Sequence, residues 1–145
     1  MPDLNVVSKH LRAIVQSIAQ LKRHAPYNEE QLRADLDLSW ILERGLYLCI
    51  QNLLDCFAHI LAADFNDQWD SYAEAAAILR TRNIISPDQE ELLNKMIGVR
   101  NRLSHQYLGL NLNVLTDVAN NKLGGLIALA ELIARYCNLP LPNSK

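Results

Sequence analysis

The stretch SPDQEELLNKMIGVRNRLSHQY, residues 86–107, decides how the chain reads. It opens on Ser86-Pro87-Asp88-Gln89, which joins an N-cap serine, a proline at the first helical position and a glutamine at the third. The helix so begun is predicted to end between His105 and Gly109. At about 100° per residue, Leu92, Leu93, Met96, Ile97, Val99, Leu103 and Tyr107 form one apolar arc. Arg100 falls inside that arc, on the stripe of Leu93 and Tyr107, with Ser104 beside it. A charge turned toward a helical core must be paired or must line a cleft, because burying it bare costs several kcal/mol.

Outward from this helix, the rest of the chain also reads as helical. Leu4, Val7, Leu11, Ile14, Ile18 and Leu21 recur at the spacing of a single apolar face, predicting a first helix from Leu4 to His24. Ala25-Pro26-Tyr27-Asn28 interrupts it. A long second helix is expected from Glu29 to Ala63, apolar on most sides after Trp40, as a central bundle helix would be. A polar loop, Asp64 to Asp70, leads to Ser71, which with Glu74 makes a capping box for a short third helix ending near Thr81. The last helix is expected from Val114 to Cys137, where Gly124-Gly125 and several alanines permit close helix contact. The sum is an all-α, antiparallel bundle of four to five helices. One domain covers residues 1–137, and a short proline-marked tail covers 138–145.

Composition agrees. A chain of 145 residues makes one domain, and half its residues are apolar while aromatics are few and Gly and Pro number five each. A formal charge of -2 excludes a broadly basic, non-specific nucleic-acid binder but leaves room for a local basic cleft. Cys49, Cys56 and Cys137 form no CxxC pair. Cys49 and Cys56 would stand roughly 10 Å apart along one helix, beyond the reach of a disulfide. They read as core residues of a protein in a reducing cytoplasm. The N-terminal stretch carries Lys and Arg and no cleavage-site pattern, so it does not read as a signal peptide. Leu46 to Ala63 is broken by Gln51, Asn52, Asp55 and His59, which favours a core helix over a membrane span.

The second helix offers a stripe complementary to Arg100. Gln51, Asp55 and His59 follow at four-residue steps, with Arg44 one heptad before Gln51. Asp55 is the candidate counter-ion for Arg100, as part of a site or as an ordinary structural ion pair. Asp55 and His59 also have a two-ligand metal spacing, but no third ligand suggests itself and no metal is expected. His105 lies some 140° round from Arg100 on an ideal helix, near Asn101. Both can reach one ligand only from a cleft edge, or where the helix end loosens. From pattern alone, His105 reads as a dipole partner for the last helical carbonyls rather than as a catalytic group.

Arg100-Asn101-Arg102-Leu103-Ser104-His105-Gln106-Tyr107 matches R-N-x-x-x-H-x-Y, and here the chain resembles the HEPN superfamily, specifically its HepT-like toxins. The motif stands at the end of the penultimate long helix, and the resemblance runs from Met1 to Cys137. It implies a metal-independent endoribonuclease without cofactor, acting on RNA such as tRNA or mRNA, whose homodimer brings two motifs to one cleft. On that resemblance Arg100 neutralises the scissile phosphate and His105 moves protons as the ribose 2′-hydroxyl attacks. Asn101, Asp55 and Ser104 would support the pair, and Arg102, Lys95, Arg80 and Arg82 would contact RNA. The products would carry 2′,3′-cyclic phosphates. The implied partner is a minimal nucleotidyltransferase (MNT) antitoxin, which in this family can transfer AMP from ATP to the motif tyrosine, here Tyr107. The alternative is a non-catalytic HEPN subunit that binds partner or substrate for a nucleotidyltransferase.

Overall fold

The computed structural model describes residues 1–105 and 111–143. The helices are α1 (Leu4–Arg23), α2 (Glu29–Ala34), α3 (Leu36–Ile60), α4 (Tyr72–Thr81), α5 (Pro87–Ser104), α6 (Leu112–Asp117) and α7 (Leu123–Tyr136). One π-helical turn, Leu61–Phe65, prolongs α3, and another, Val118–Lys122, joins α6 to α7. Among the described residues there is no strand.

Most ends are capped as the residue types dictate. Asp3 Oδ1 accepts the Asn5 N–H at 2.9 Å to open α1. At α5 the box is complete: Ser86 Oγ accepts from Gln89 N at 3.1 Å while Gln89 Oε1 accepts from Ser86 N at 3.0 Å. At α4 only half of the expected box forms. Ser71 Oγ accepts from Glu74 N, but the Glu74 carboxylate takes the Asp70 N–H at 2.8 Å instead of the Ser71 N–H. Asn66, Asn83 and Asn138, with φ of 53°, 60° and 54°, supply left-handed turns just beyond helical segments, a conformation asparagine tolerates better than most residues.

The helix expected from Glu29 to Ala63 is broken at Asp35. That residue closes α2, its N–H donating to Gln31 O, and opens α3, its carboxylate accepting from Leu38 N at 3.1 Å. The helix expected from Val114 to Cys137 is the run of α6, the π-helical turn and α7, which starts slightly earlier, at Leu112 capped by Asn111.

Cross-contacts set an antiparallel bundle. Between α1 and α3, His10 Nδ1 meets Asn52 Oδ1 at 2.7 Å, and the Asp3 N–H donates to His59 Nε2 at 2.8 Å. At the other end of this pair, Gly45 lets α3 close on Leu21: a Cβ there would lie 2.7 Å from Leu21 Cδ2. The α5–α7 pair repeats the device, since a Cβ on Gly125 would lie 2.6 Å from Leu92 Cδ2, whereas Gly124 faces open space. The loop after α1 is held by Asn120, whose amide bonds both the N–H and the carbonyl of Tyr27 at 2.8 Å.

The core runs through all these layers, and α3 is its axis, with Leu46, Cys49, Ile50, Leu53 and Ile60 fully enclosed. Leu36–Phe65 is long and apolar enough to cross a membrane, but half of its most apolar stretch is buried inside the bundle. It serves as the central helix. The three cysteines are unpaired and buried, and burial pushes the Cys49 and Cys56 thiols up to about 12.

Candidate active site

The arc expected on α5 is present. Leu93, Met96, Ile97, Val99 and Leu103 are buried, and Arg100 among them is half-buried. Its guanidinium is held on two sides: Nε donates to Gln51 Oε1 at 2.8 Å and Nη1 donates to Asn101 Oδ1 at 3.0 Å. The Tyr72 ring lies with its centroid 5.6 Å from the guanidinium carbon, within cation–π range. Three elements therefore position this one side chain: α3 through Gln51, α4 through Tyr72 and α5 itself.

The direct Asp55–Arg100 pair expected from spacing does not form. Gln51 stands between them, its Nε2 donating to Asp55 Oδ1 at 2.9 Å and to Tyr72 Oη at 3.3 Å. The reason is axial. In an antiparallel pair of helices the residue level with Arg100 is Gln51, and Asp55 lies one turn, about 6 Å, farther along. Among the described residues, Arg100 has no carboxylate at ion-pair distance.

His59, the next residue on the stripe, is occupied elsewhere, accepting the Asp3 N–H at the start of α1. Among the described residues no cluster of three His, Cys, Asp or Glu could hold a metal.

His105 caps α5. Its φ of -117° and ψ of 52° have left the helix, and its N–H donates to Arg102 O at 3.1 Å. The helix thus ends one residue short of the histidine, so the 140° separation of an ideal helix no longer constrains its direction. The His105 side chain is exposed, as are Arg102 and Ser104, and Ser104 Oγ donates to the Arg100 carbonyl at 3.1 Å. Tyr107 lies outside the described residues.

The other proposed RNA contacts have intramolecular partners. Arg80 pairs with Glu90 at 2.8 Å and Lys95 with Asp117 at 3.4 Å. Arg82 grips both oxygens of Asp67, at 2.6 and 2.8 Å, and covers the Phe65 ring. Glu90 lies in the first turn of α5 and Arg100 near its last, about 15 Å apart along the axis, so Arg80 does not converge on the motif.

Beside the last turn of α5, an open groove of about 630 Å³ is lined by Trp40, Glu43, Arg44, Tyr47, Leu103 and Ser104. Burial raises the Glu43 carboxyl above its usual range, against a hydrogen bond from Ser39 that lowers it. Sequence reasoning missed Gln51 and Tyr72 as partners of Arg100. The signal for Gln51 was present, since it shares the Asp55 stripe; nothing in the sequence placed Tyr72 there.

The structure is thus an all-helical bundle with an arginine set in the apolar arc of one helix and a histidine at that helix's end. Residues 14–133 match the family described as ribonuclease HepT-like. The chain belongs to this family, within the HEPN superfamily. No curated protein matches the sequence. Solved structures share the fold at low identity. A tri-AMPylated Shewanella oneidensis HEPN toxin in complex with MNT antitoxin is 23% identical with a TM-score of 0.80, covering 93% of this chain and 99% of its own. A toxin–antitoxin with AMP-PNP is 22% identical with a TM-score of 0.78, covering 92% and 99%. The cytosolic protein of unknown function YutE from Bacillus subtilis is 20% identical with a TM-score of 0.80, covering 94% and 92%.

Proposed function

We propose that this protein is the toxin of a toxin–antitoxin pair and a metal-independent endoribonuclease, with Arg100 and His105 as its catalytic residues. The observation that carries the reading is Arg100 itself: a cation set in an apolar arc and held by neutral acceptors, five residues before a histidine at the helix end. Arginine suits a phosphate because its planar fork matches two oxygens. Histidine suits the proton transfer because its unperturbed pKa lies near neutrality.

In this reading the ribose 2′-oxygen forms a bond to phosphorus as its proton passes to His105. Charge gathers on the phosphate oxygens and is met by Arg100. The P–O5′ bond breaks, and the imidazolium returns a proton to the leaving oxygen. The products are a 2′,3′-cyclic phosphate and a 5′-hydroxyl. Asn101 and Ser104 steady the Arg100 end of the site, Asp55 acts through Gln51, and exposed Arg102 contacts RNA.

The working unit is a homodimer in the cytoplasm. Its partner is an MNT nucleotidyltransferase that neutralises it by AMPylating Tyr107, a reading supported by the AMP carried by the Shewanella toxin. An added phosphate that reached Arg100 would occupy the place of the substrate's own.

The test is RNA cleavage by purified protein in EDTA. Wild type should cut and leave cyclic phosphates, while Arg100→Ala and His105→Ala should each be inactive yet folded. Cleavage by His105→Ala at the wild-type rate would sink the mechanism. Incubation with ATP, Mg²⁺ and the nucleotidyltransferase should add mass in AMP steps that vanish in Tyr107→Phe.

A further inference from the structure

We propose that Gln51 is a positioning residue that aims Arg100 while leaving its charge uncompensated, and that its neutrality is what allows the site to accept an anionic phosphate. The inference rests on the reading of Arg100 as the phosphate-binding group.

The orientation of the Gln51 amide is fixed by chemistry on both sides. Arg100 Nε can only donate, so an oxygen must face it, and Oε1 does so at 2.8 Å. The Asp55 Oδ1 accepts on the other side, so the amide nitrogen must face it, and Nε2 does so at 2.9 Å. The same NH₂ group reaches Tyr72 Oη at 3.3 Å. Asp55 therefore holds the amide and the amide holds the guanidinium.

The alternative arrangement is a direct carboxylate–guanidinium fork. It would orient Arg100 equally well but would take two donors on one edge and cancel the charge. Among the described residues the two acceptors on the guanidinium, Gln51 Oε1 and Asn101 Oδ1, are both neutral amide oxygens. The Tyr72 ring attracts the cation without neutralising it. The carboxylate of Asp55 sets the geometry from one residue away.

The experiment follows the guanidinium directly, by ¹H–¹⁵N spectra of the full-length chain titrated with inorganic phosphate, alongside RNA binding and single-turnover cleavage. In wild type the Arg100 Nε–H should exchange slowly and its signals should move with phosphate. Gln51→Met keeps the bulk but removes all three hydrogen bonds of the amide. It should lose the slow exchange and lower the cleavage rate about tenfold, with RNA affinity within about twofold of wild type, because charge is kept and aim is lost. Gln51→Glu should keep the slow exchange, weaken phosphate about tenfold, and lower the salt dependence of RNA binding by about one phosphate contact.

Phosphate binding by Gln51→Glu as tight as wild type overturns the proposal. So does a Gln51→Met chain with wild-type exchange and cleavage, and this comparison decides alone if Gln51→Glu does not fold. If the phosphate and exchange results hold while wild type cuts no RNA, the positioning role stands and the ribonuclease reading fails.

Discussion

Removing Asp55 tests the network at its far end. In Asp55→Ala the lost interaction is one hydrogen bond, from Gln51 Nε2 to a half-buried carboxylate oxygen at 2.9 Å. A bond to a charged acceptor contributes about 1.5–3 kcal/mol, and partial exposure argues for the lower end. Gln51 Nε2 keeps Tyr72 Oη as an acceptor and Arg100 keeps Gln51 Oε1, so no polar group is stranded. The expected loss is about 1–2 kcal/mol, which for a chain of this size is a fall in Tm of about 3–8 °C. Had Asp55 paired directly with a buried Arg100, its removal would have cost about 3–5 kcal/mol. Urea and thermal unfolding of the two proteins measure the difference. A loss above about 3 kcal/mol would mean that Arg100 depends on the Asp55 charge and that the amide is no real intermediary. A loss below about 0.5 kcal/mol would mean that Asp55 is solvated.

Two further expectations concern the guanidinium and the buried thiols. Arg100→Lys keeps the charge but cannot meet Gln51, Asn101 and a phosphate in one plane; RNA cleavage should fall about 100-fold with helicity unchanged, and activity within about threefold of wild type would refute the fork argument. Cys49 and Cys56 are pushed from 9.0 to about 12 by burial, so between about pH 9 and 12 the unfolded chain loses thiol protons that the folded chain keeps. Stability is therefore full below pH 9 and declines as pH rises, by about 1.4 kcal/mol per unit for each thiol. Urea melts from pH 8 to 11 should show the decline, and Cys49→Ala should reduce its slope; a slope unchanged in that variant would exclude Cys49 as a source.

The expectations that held were those resting on one local signal. The start of α5 was legible because Ser86, Pro87 and Gln89 act within a single turn, and the apolar arc with Arg100 inside it followed from periodicity alone. The break at Asp35 was not legible, because the apolar spacing continues across it. Periodicity reports which face is buried and is blind to a single capping aspartate that ends one helix and begins another. The partner of Arg100 was misread for a related reason. A stripe gives the azimuth of Gln51 and Asp55 equally, and only the axial register of α3 against α5 chooses between them. That register is set by distant packing, including α1 against α3 and α4 against both helices.

The arginine that these helices hold is not explained by stability. A half-buried cation gives up part of its hydration, and two neutral hydrogen bonds with one aromatic face return less than a carboxylate would. Well-packed apolar residues often replace buried ionic groups at no loss, and Leu93, Met96 and Leu103 beside Arg100 show that the arc accommodates them. A fold optimised for its own packing would place methionine here, or would bring Asp55 level with Arg100. Instead the acid sits one turn away and an amide fills the interval. An anionic ligand would supply the counter-charge that no described residue provides at ion-pair distance, and on the proposed reading the exposed histidine at the end of the same helix would serve that ligand.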